Sequence, residues 1–199
     1  MRKIILMMSV SVDGFIEGPG REIDWHMVDD ELHSHFNEQL GAMGAFLSGR
    51  VTYELMAGFW PTADQDPSST APMVEFARIW RDKPKIVFSR TLERADWNTT
   101  VVRDLVPEEV MELRAQPGGD LVLGGADLAA AFMRHDLIDE YRLYVHPVLI
   151  GRGKPLFRSS DAKINLRLAG TRAFGNGVVL LRYQRPDAQD KELSDAQPP

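Results

Sequence analysis

Residues 120–157, DLVLGGADLAAAFMRHDLIDEYRLYVHPVLIGRGKPLF, decide the fold. Leu121, Val122 and Leu123 form a short apolar run of strand type, and Gly124-Gly125 follows, where the backbone turns with no Cβ to collide. Leu128, Ala131, Phe132 and His135 then fall at helical spacing. Arg134 and His135 occupy the last turn, where positive charge complements the helix dipole. An acidic turn leads into a second long strand from Tyr141. Strand, turn, helix and strand in this order make a βαβ unit. A glycine pair running from a strand into a helix leaves the first helical N–H groups open, which suits phosphate. A tight turn alone explains the same pair, so both readings stand at this point.

Composition narrows the classes. A chain of 199 residues is most simply one domain, and its 44% hydrophobic and 26% charged content sets disordered and fibrous classes aside. The net charge of −6, with basic residues scattered along the chain, argues against a nucleic-acid surface. Without cysteine there are no disulfides, thiolate metal sites or cysteine nucleophiles. The basic, apolar start MRKIILMMSVSV resembles a signal peptide, but no small-residue cleavage site follows. Asp13-Gly14 ends the run too early for a membrane span. The expectation is a buried first strand in a soluble, cytoplasmic protein with no membrane or nucleic-acid partner.

Residues 4–12 are almost continuously apolar, the pattern of a strand covered on both faces. Residues 15–25 should form a loop crossing the C-terminal edge of that strand, where open α/β sheets bind ligands. Asp13 and Trp25 border this loop as candidate substrate contacts, Trp25 as either a pocket wall or a plain hydrophobic anchor. Residues 29–40 predict a helix with Leu32, Phe36 and Leu40 on one stripe. Asp30 lies near that stripe, where a partly buried carboxylate could titrate upward and donate a proton. The alternative is a solvated first-turn acid. None of the five histidines has the company of a zinc site, so no metal is expected.

A second strand-to-helix turn occurs at Gly49-Arg50-Val51-Thr52, after a strand at residues 45–48. A glycine, a cation and a hydroxyl there would suit a diphosphate, although a Thr near a helix start is commonplace. Residues 60–72 read as a loop and residues 73–80 as a helix. The strand at residues 85–89 ends at Ser89-Arg90, either an ordinary turn or a site for the 2′-phosphate that separates NADP from NAD. Residues 99–103 read as a strand and 107–115 as a helix with Pro at its start. Residues 141–150 are strand-like, but Pro147 predicts an edge or bulged strand there. Gly151-Arg152-Gly153-Lys154 lacks P-loop spacing and reads as a turn. Gly175-Asn176-Gly177 between residues 166–174 and 178–183 signals a C-terminal antiparallel hairpin. Residues 1–185 make the single expected domain, and 186–199 a polar, disordered tail.

These motifs carry a resemblance. SVDGFI at residues 11–16, GRVTYE at 49–54, VFSR at 87–90, LVLGGADL at 121–128 and DEYRLYVHPVLIGRGKPLF at 139–157 resemble the dihydrofolate-reductase-like superfamily. The closest likeness is to the C-terminal reductase domain of the riboflavin-biosynthesis deaminase-reductase and its free-standing relatives. The resemblance implies an α/β protein with a three-layer α/β/α fold and a mixed, mostly parallel central sheet. It also implies NADPH across the strand ends. Carried over by motif, Gly49, Arg50 and Thr52 would face the cofactor diphosphate, and Ser89 and Arg90 the 2′-phosphate. Gly124, Gly125, Ala126 and Asp127 would face the diphosphate and nicotinamide side. The spacing of Trp25 and Asp30 resembles that of a tryptophan and the catalytic acid in dihydrofolate reductases, which makes Asp30 the catalytic candidate. A homodimer through the strands around residues 141–150 is also implied. Without a deaminase domain or zinc motif, the expectation is a free-standing reductase acting on a pyrimidine ribosyl or pterin-like compound. Dihydrofolate reductase activity is one alternative, and a non-catalytic nucleotide-binding protein another.

Overall fold

The computed structural model describes residues 1–158 and 163–186. The expected tail falls, apart from Pro186, outside the described residues. Among the described residues, ten strands and five α-helices follow one another as β1 (Ile4–Ser11), β2 (Phe15–Glu17), α1 (Asp30–Gly41), β3 (Ala45–Gly49), α2 (Arg50–Ala57), α3 (Ala71–Asp82), β4 (Lys85–Phe88), β5 (Thr99–Val102), α4 (Pro107–Ala115), β6 (Leu121–Gly124), α5 (Ala126–Arg134), β7 (Glu140–His146), β8 (Lys154–Pro155), β9 (Arg167–Ala173) and β10 (Val179–Gln184). The segment read as a loop from residue 60 begins instead with a 3-10 helix, Trp60–Gln65, which has Pro near its start. Trp60 packs edge-on against Phe76 of α3, and that aromatic contact orders what a Pro/Asp/Ser composition suggests should be loose.

Eight strands form one sheet in the order β5-β4-β3-β6-β1-β7-β10-β9. β5 through β7 are parallel throughout, and β10 pairs antiparallel with both β7 and β9. β6, α5 and β7 form the expected crossover unit, with β1 lying between the two strands. β1 alternates in what it buries. Ile4 and Leu6 pack with Val110 of α4 and with Leu128, Ala129 and Phe132 of α5. Ile5 turns to the opposite side, where Met43, Val122 and Leu40 of α1 lie. Helices on both faces are the reason the strand reads as an unbroken apolar run. The result is the three-layer α/β/α arrangement with a mostly parallel sheet.

The chemistry of the helix starts follows their residues. Asp29 caps α1 by accepting the Leu32 N–H at 2.9 Å. Pro lies at the beginning of α3 and of α4, where its missing N–H costs nothing.

Two expectations about β7 need correction. It is neither an edge strand nor bulged, because β1 and β10 pair along it on both sides and it stops at His146, one residue before Pro147. Proline therefore terminates the strand after its last ladder bond. The open edge among the late strands belongs to β9, whose Leu168 is 51% exposed. The 151–154 turn leads into β8, which pairs antiparallel with β2.

Candidate functional site at the C-terminal strand ends

The three strand-end turns singled out in the sequence lie on three neighbouring strands. Ser48 of β3 is in register with Gly124 of β6, and Gly49 with Phe88 of β4. Ser89-Arg90, Gly49-Arg50 and Gly124-Gly125 therefore end consecutive parallel strands at one edge, and Asp13 follows the end of the next strand, β1. Across these four strands the edge runs three strand spacings, roughly 14 Å.

Two helices begin at the middle of this edge. Gly49 is the N-cap of α2 and Gly125 of α5, and neither has a side chain to cap the first N–H groups of its helix. A Cβ on Gly49 would meet nothing within 4 Å. Gly125 has φ +95, and a Cβ there would come within 2.7 Å of Thr52 Oγ1. Thr52 and Gly125 thus face one another across a cradle that only a missing side chain keeps open. Open N–H groups at two helix starts, a hydroxyl between them and a nearby guanidinium fit an anionic diphosphate. Arg50 pairs with Glu54 at 3.0 Å on the helix surface, with both side chains about half exposed. At this exposure the pair holds Arg50 only weakly.

The other candidates differ in surroundings. Ser89 is buried, and its Oγ accepts the N–H groups of Thr91 and Leu92, so the hydroxyl shapes the turn itself. Arg90 is largely exposed and pairs with Asp104 at 2.5 Å, while Arg103 donates to the Ser89 carbonyl. Ala126 is buried under the turn. Asp127 accepts from Lys154 Nζ at 2.7 Å and from Arg158. Its partial burial works against the charge, but the two cations outweigh that and hold the carboxyl below the usual carboxylate range. The Asp13 carboxylate is taken up by the N–H groups of Gly151 at 2.7 Å and Ile150 at 3.3 Å. Hydrogen bonding, from Ser11 first, keeps it ionised below its ordinary value. Asp13 thus ties the end of β1 to the loop before β8.

Asp30 lies in the first turn of α1 and is exposed. The partly buried environment considered for it is absent. Trp25 is half-buried and sits over the end of β7 instead of on the cradle side. Its ring meets those of His26 and His146 edge-on, with centroids 4.3 and 5.6 Å away.

Those two histidines were not singled out by sequence. His26 stacks on His146 with centroids 5.1 Å apart, and His146 is fully buried and accepts the Met27 N–H at Nδ1, 3.0 Å away. Burial, with His26 beside it, pushes the His146 imidazole down to about 4, so the ring is neutral at ordinary pH. Met8 of β1 was missed as well; its sulfur accepts the Gly125 N–H at 3.1 Å and steadies the turn from below. A His before a strand-ending Pro is the only local signal for His146, and it names no partner.

The sequence model of the RibD C-terminal domain matches residues 2–180. A Bacillus subtilis (strain 168) protein called uncharacterized protein YyaP is 39% identical over 183 residues, covering 92% of this chain and 94% of its own. A solved putative riboflavin biosynthesis protein from Shewanella sp. PV-4 superposes with a TM-score of 0.72 at 20% identity, covering 94% of this chain and 100% of the other. Dihydrofolate reductase from Enterococcus faecalis, complexed with NADP(H), superposes at 0.61 with 16% identity, covering 93% of this chain and 97% of that one. The fold is dihydrofolate-reductase-like.

Proposed function

The chain belongs to the RibD C-terminal domain family, and from that premise we propose that it is an NADPH-dependent reductase of the riboflavin-biosynthesis type. Its substrate would be a pyrimidine ribosyl or pterin-like compound. The observation that carries this reading is the pair of uncapped helix starts at Gly49 and Gly125, on adjacent strands, with Thr52 Oγ1 facing the missing Cβ of Gly125.

In this reading the N–H groups at the starts of α2 and α5 and the Thr52 hydroxyl hold the diphosphate, and Arg50 leaves Glu54 to join them. Arg90 exchanges Asp104 for the 2′-phosphate, an exchange favoured by the exposure of that pair. Asp127, held by Lys154 and Arg158, orients the start of α5 beside the nicotinamide side. When bound, the cofactor supplies a hydride to a polarised C=N or C=O carbon. The chain supplies position and field. The proton for the partner atom comes from solvent, with Asp30, whose carboxyl is exposed, as the relay. The substrate half of the edge lies toward Asp13 and the loop carrying Trp25.

Titration with NADPH, followed by tryptophan fluorescence, tests the cofactor site directly. Loss of NADPH absorbance with a ribosylaminopyrimidine, a pterin or dihydrofolate then separates the substrates. Binding with no oxidation by any of them favours a nucleotide-binding protein without turnover, and absence of binding ends the reductase reading.

The proposal extends to a cytoplasmic homodimer. Among the described residues no helix is long and apolar enough to cross a membrane. β9 is the open edge of the sheet and carries exposed Leu168, with Leu166 and Ile164 exposed just before it. An unpaired edge with an apolar flank is a ready surface for a second copy. Light scattering on the wild type and on Leu168→Lys checks it, with monomer expected for the variant.

A further inference from the structure

The loop of residues 18–29 is held at one residue from two sides. The Met27 N–H donates to His146 Nδ1 at 3.0 Å, and the Met27 carbonyl accepts from Asn176 Nδ2 at 2.8 Å, in the turn between β9 and β10. Trp25 closes on itself through its Nε1, which donates to the Glu22 carbonyl at 3.2 Å, and its ring lies edge-on to both histidines. The Met27 bond fixes the tautomer of His146. Nδ1 accepts, so the neutral ring carries its hydrogen on Nε2, which is buried with no partner among the described residues. The Nε2 of the stacked His26 is buried and unpartnered in the same way.

We propose that His146 is a positioning residue: with Nδ1 kept as an acceptor, it holds the 18–29 loop and Trp25 over the end of β7, and it releases them when the imidazole takes up a second proton. Protonation turns Nδ1 into a donor facing the Met27 N–H, so the bond is lost outright and a cation is left buried against a second imidazole. Among the described residues no carboxylate is bonded to either ring. From the loop come His26 and Trp25, from β1 comes Ser11 in register with His146, and from the late hairpin comes Asn176 at Met27. Of the loop's own acids, Asp24 is exposed to solvent and Asp29 caps the Leu32 N–H, and the other nearby acids hold partners of their own. Asp13 holds Gly151, Glu22 holds the Gly20 N–H, and Glu31 holds Arg172 and the Gly175 N–H. The role of the loop as a wall of the substrate half rests on the reductase reading, whereas the latch itself does not.

The experiment follows the Met27 amide by NMR in the full chain, with Trp25 emission taken as the difference from Trp25→Phe. Between about pH 6 and about pH 3, both signals should move in one titration while the amides of β1 stay unchanged. His146→Asn keeps an acceptor where Nδ1 was but cannot titrate, so its Met27 amide should stay constant. His146→Phe fills the space without an acceptor and should show the acid-form signals already at neutral pH. Its KM for an identified substrate should rise about five-fold or more, with NADPH affinity within about two-fold of wild type. A wild-type Met27 amide that does not shift on acidification, or a His146→Asn chain that titrates as wild type does, overturns the proposal. The NMR arm contains no NADPH. Failure of NADPH to bind would therefore end the reductase reading while the Met27 titration still decides the latch.

Discussion

Where the parallel strands begin, the sheet is stitched shut. Arg2 Nε donates to the Gly119 carbonyl at 2.6 Å, and Asp139 accepts both the Ile4 N–H and the Arg114 guanidinium at 2.8 Å. Lys83 Nζ reaches the carbonyls of Gly41 and Met43, and buried Lys85 reaches those of Lys83 and Trp97 while lying 4.3 Å from the centroid of the Trp80 ring. Where the same strands end, two helices start without side-chain caps and Gly49 looks into open space. One edge spends its cations on its own carbonyls, and the other leaves donors unspent. Donors left open at one end of a sheet whose opposite end ties its cations to its own carbonyls make that end the one the proposed diphosphate would use.

Glycines at the two edges allow this contrast to be broken most sharply. A Cβ on Gly119 would lie 2.7 Å from the Ala42 carbonyl oxygen and 3.0 Å from the Gly44 nitrogen, both backbone atoms. Gly119→Ala should therefore cost roughly 3 kcal/mol in urea unfolding. Gly49→Ala should change stability by less than about 0.5 kcal/mol, yet weaken NADPH. Equal stability losses for the two variants would erase the distinction between the edges.

Acid should reach the upper edge next. The folded His146 titrates at about 4, below its ordinary 6.5, so folding favours the neutral ring. Its contribution is complete above about pH 6.5 and is lost as pH falls toward 4, on the order of 2 to 3 kcal/mol. The difference in denaturation midpoint between wild type and His146→Asn across that window measures it. A difference that does not vary with pH would mean the ring is solvated.

Three substitutions sharpen the reading of the open edge itself. Gly125→Val adds a branched side chain at φ +95 against Thr52, and should lower NADPH affinity by about ten-fold or more in fluorescence titration. Arg90→Ala should reduce the preference for NADPH over NADH by several-fold, about five. Retention of the full preference would remove the 2′-phosphate assignment. Asp30→Asn should slow turnover on an identified substrate by less than about three-fold, because a solvated acid is readily replaced by water. A far larger loss would restore Asp30 as a dedicated proton donor.

What could be read from sequence was what is written locally. The turns at Gly49, Ser89 and Gly124 each follow a short apolar run and announce themselves within a few residues, and the helix at 107–115 is bounded by its own proline. The tertiary use of a side chain is not local. The Met27–His146 bond spans 119 residues and the Asp13–Gly151 bond spans 138, and no periodicity encodes either. Pro147 shows the limit from the other side. Its missing N–H is a real constraint, but a strand satisfies it by stopping one residue earlier just as well as by moving to an edge.

The place of β1 has a consequence for the order in which the protein comes into being. β1 is made well before its two partners, β6 and β7, which begin at Leu121 and Glu140. At ordinary translation rates of about 5–20 residues per second, the apolar segment IILMMSVS waits roughly ten seconds for its neighbours. Throughout that interval both of its sheet neighbours are missing, which leaves an apolar segment of the aggregation-exposed kind. A central strand of the sheet thus waits for neighbours made more than a hundred residues later.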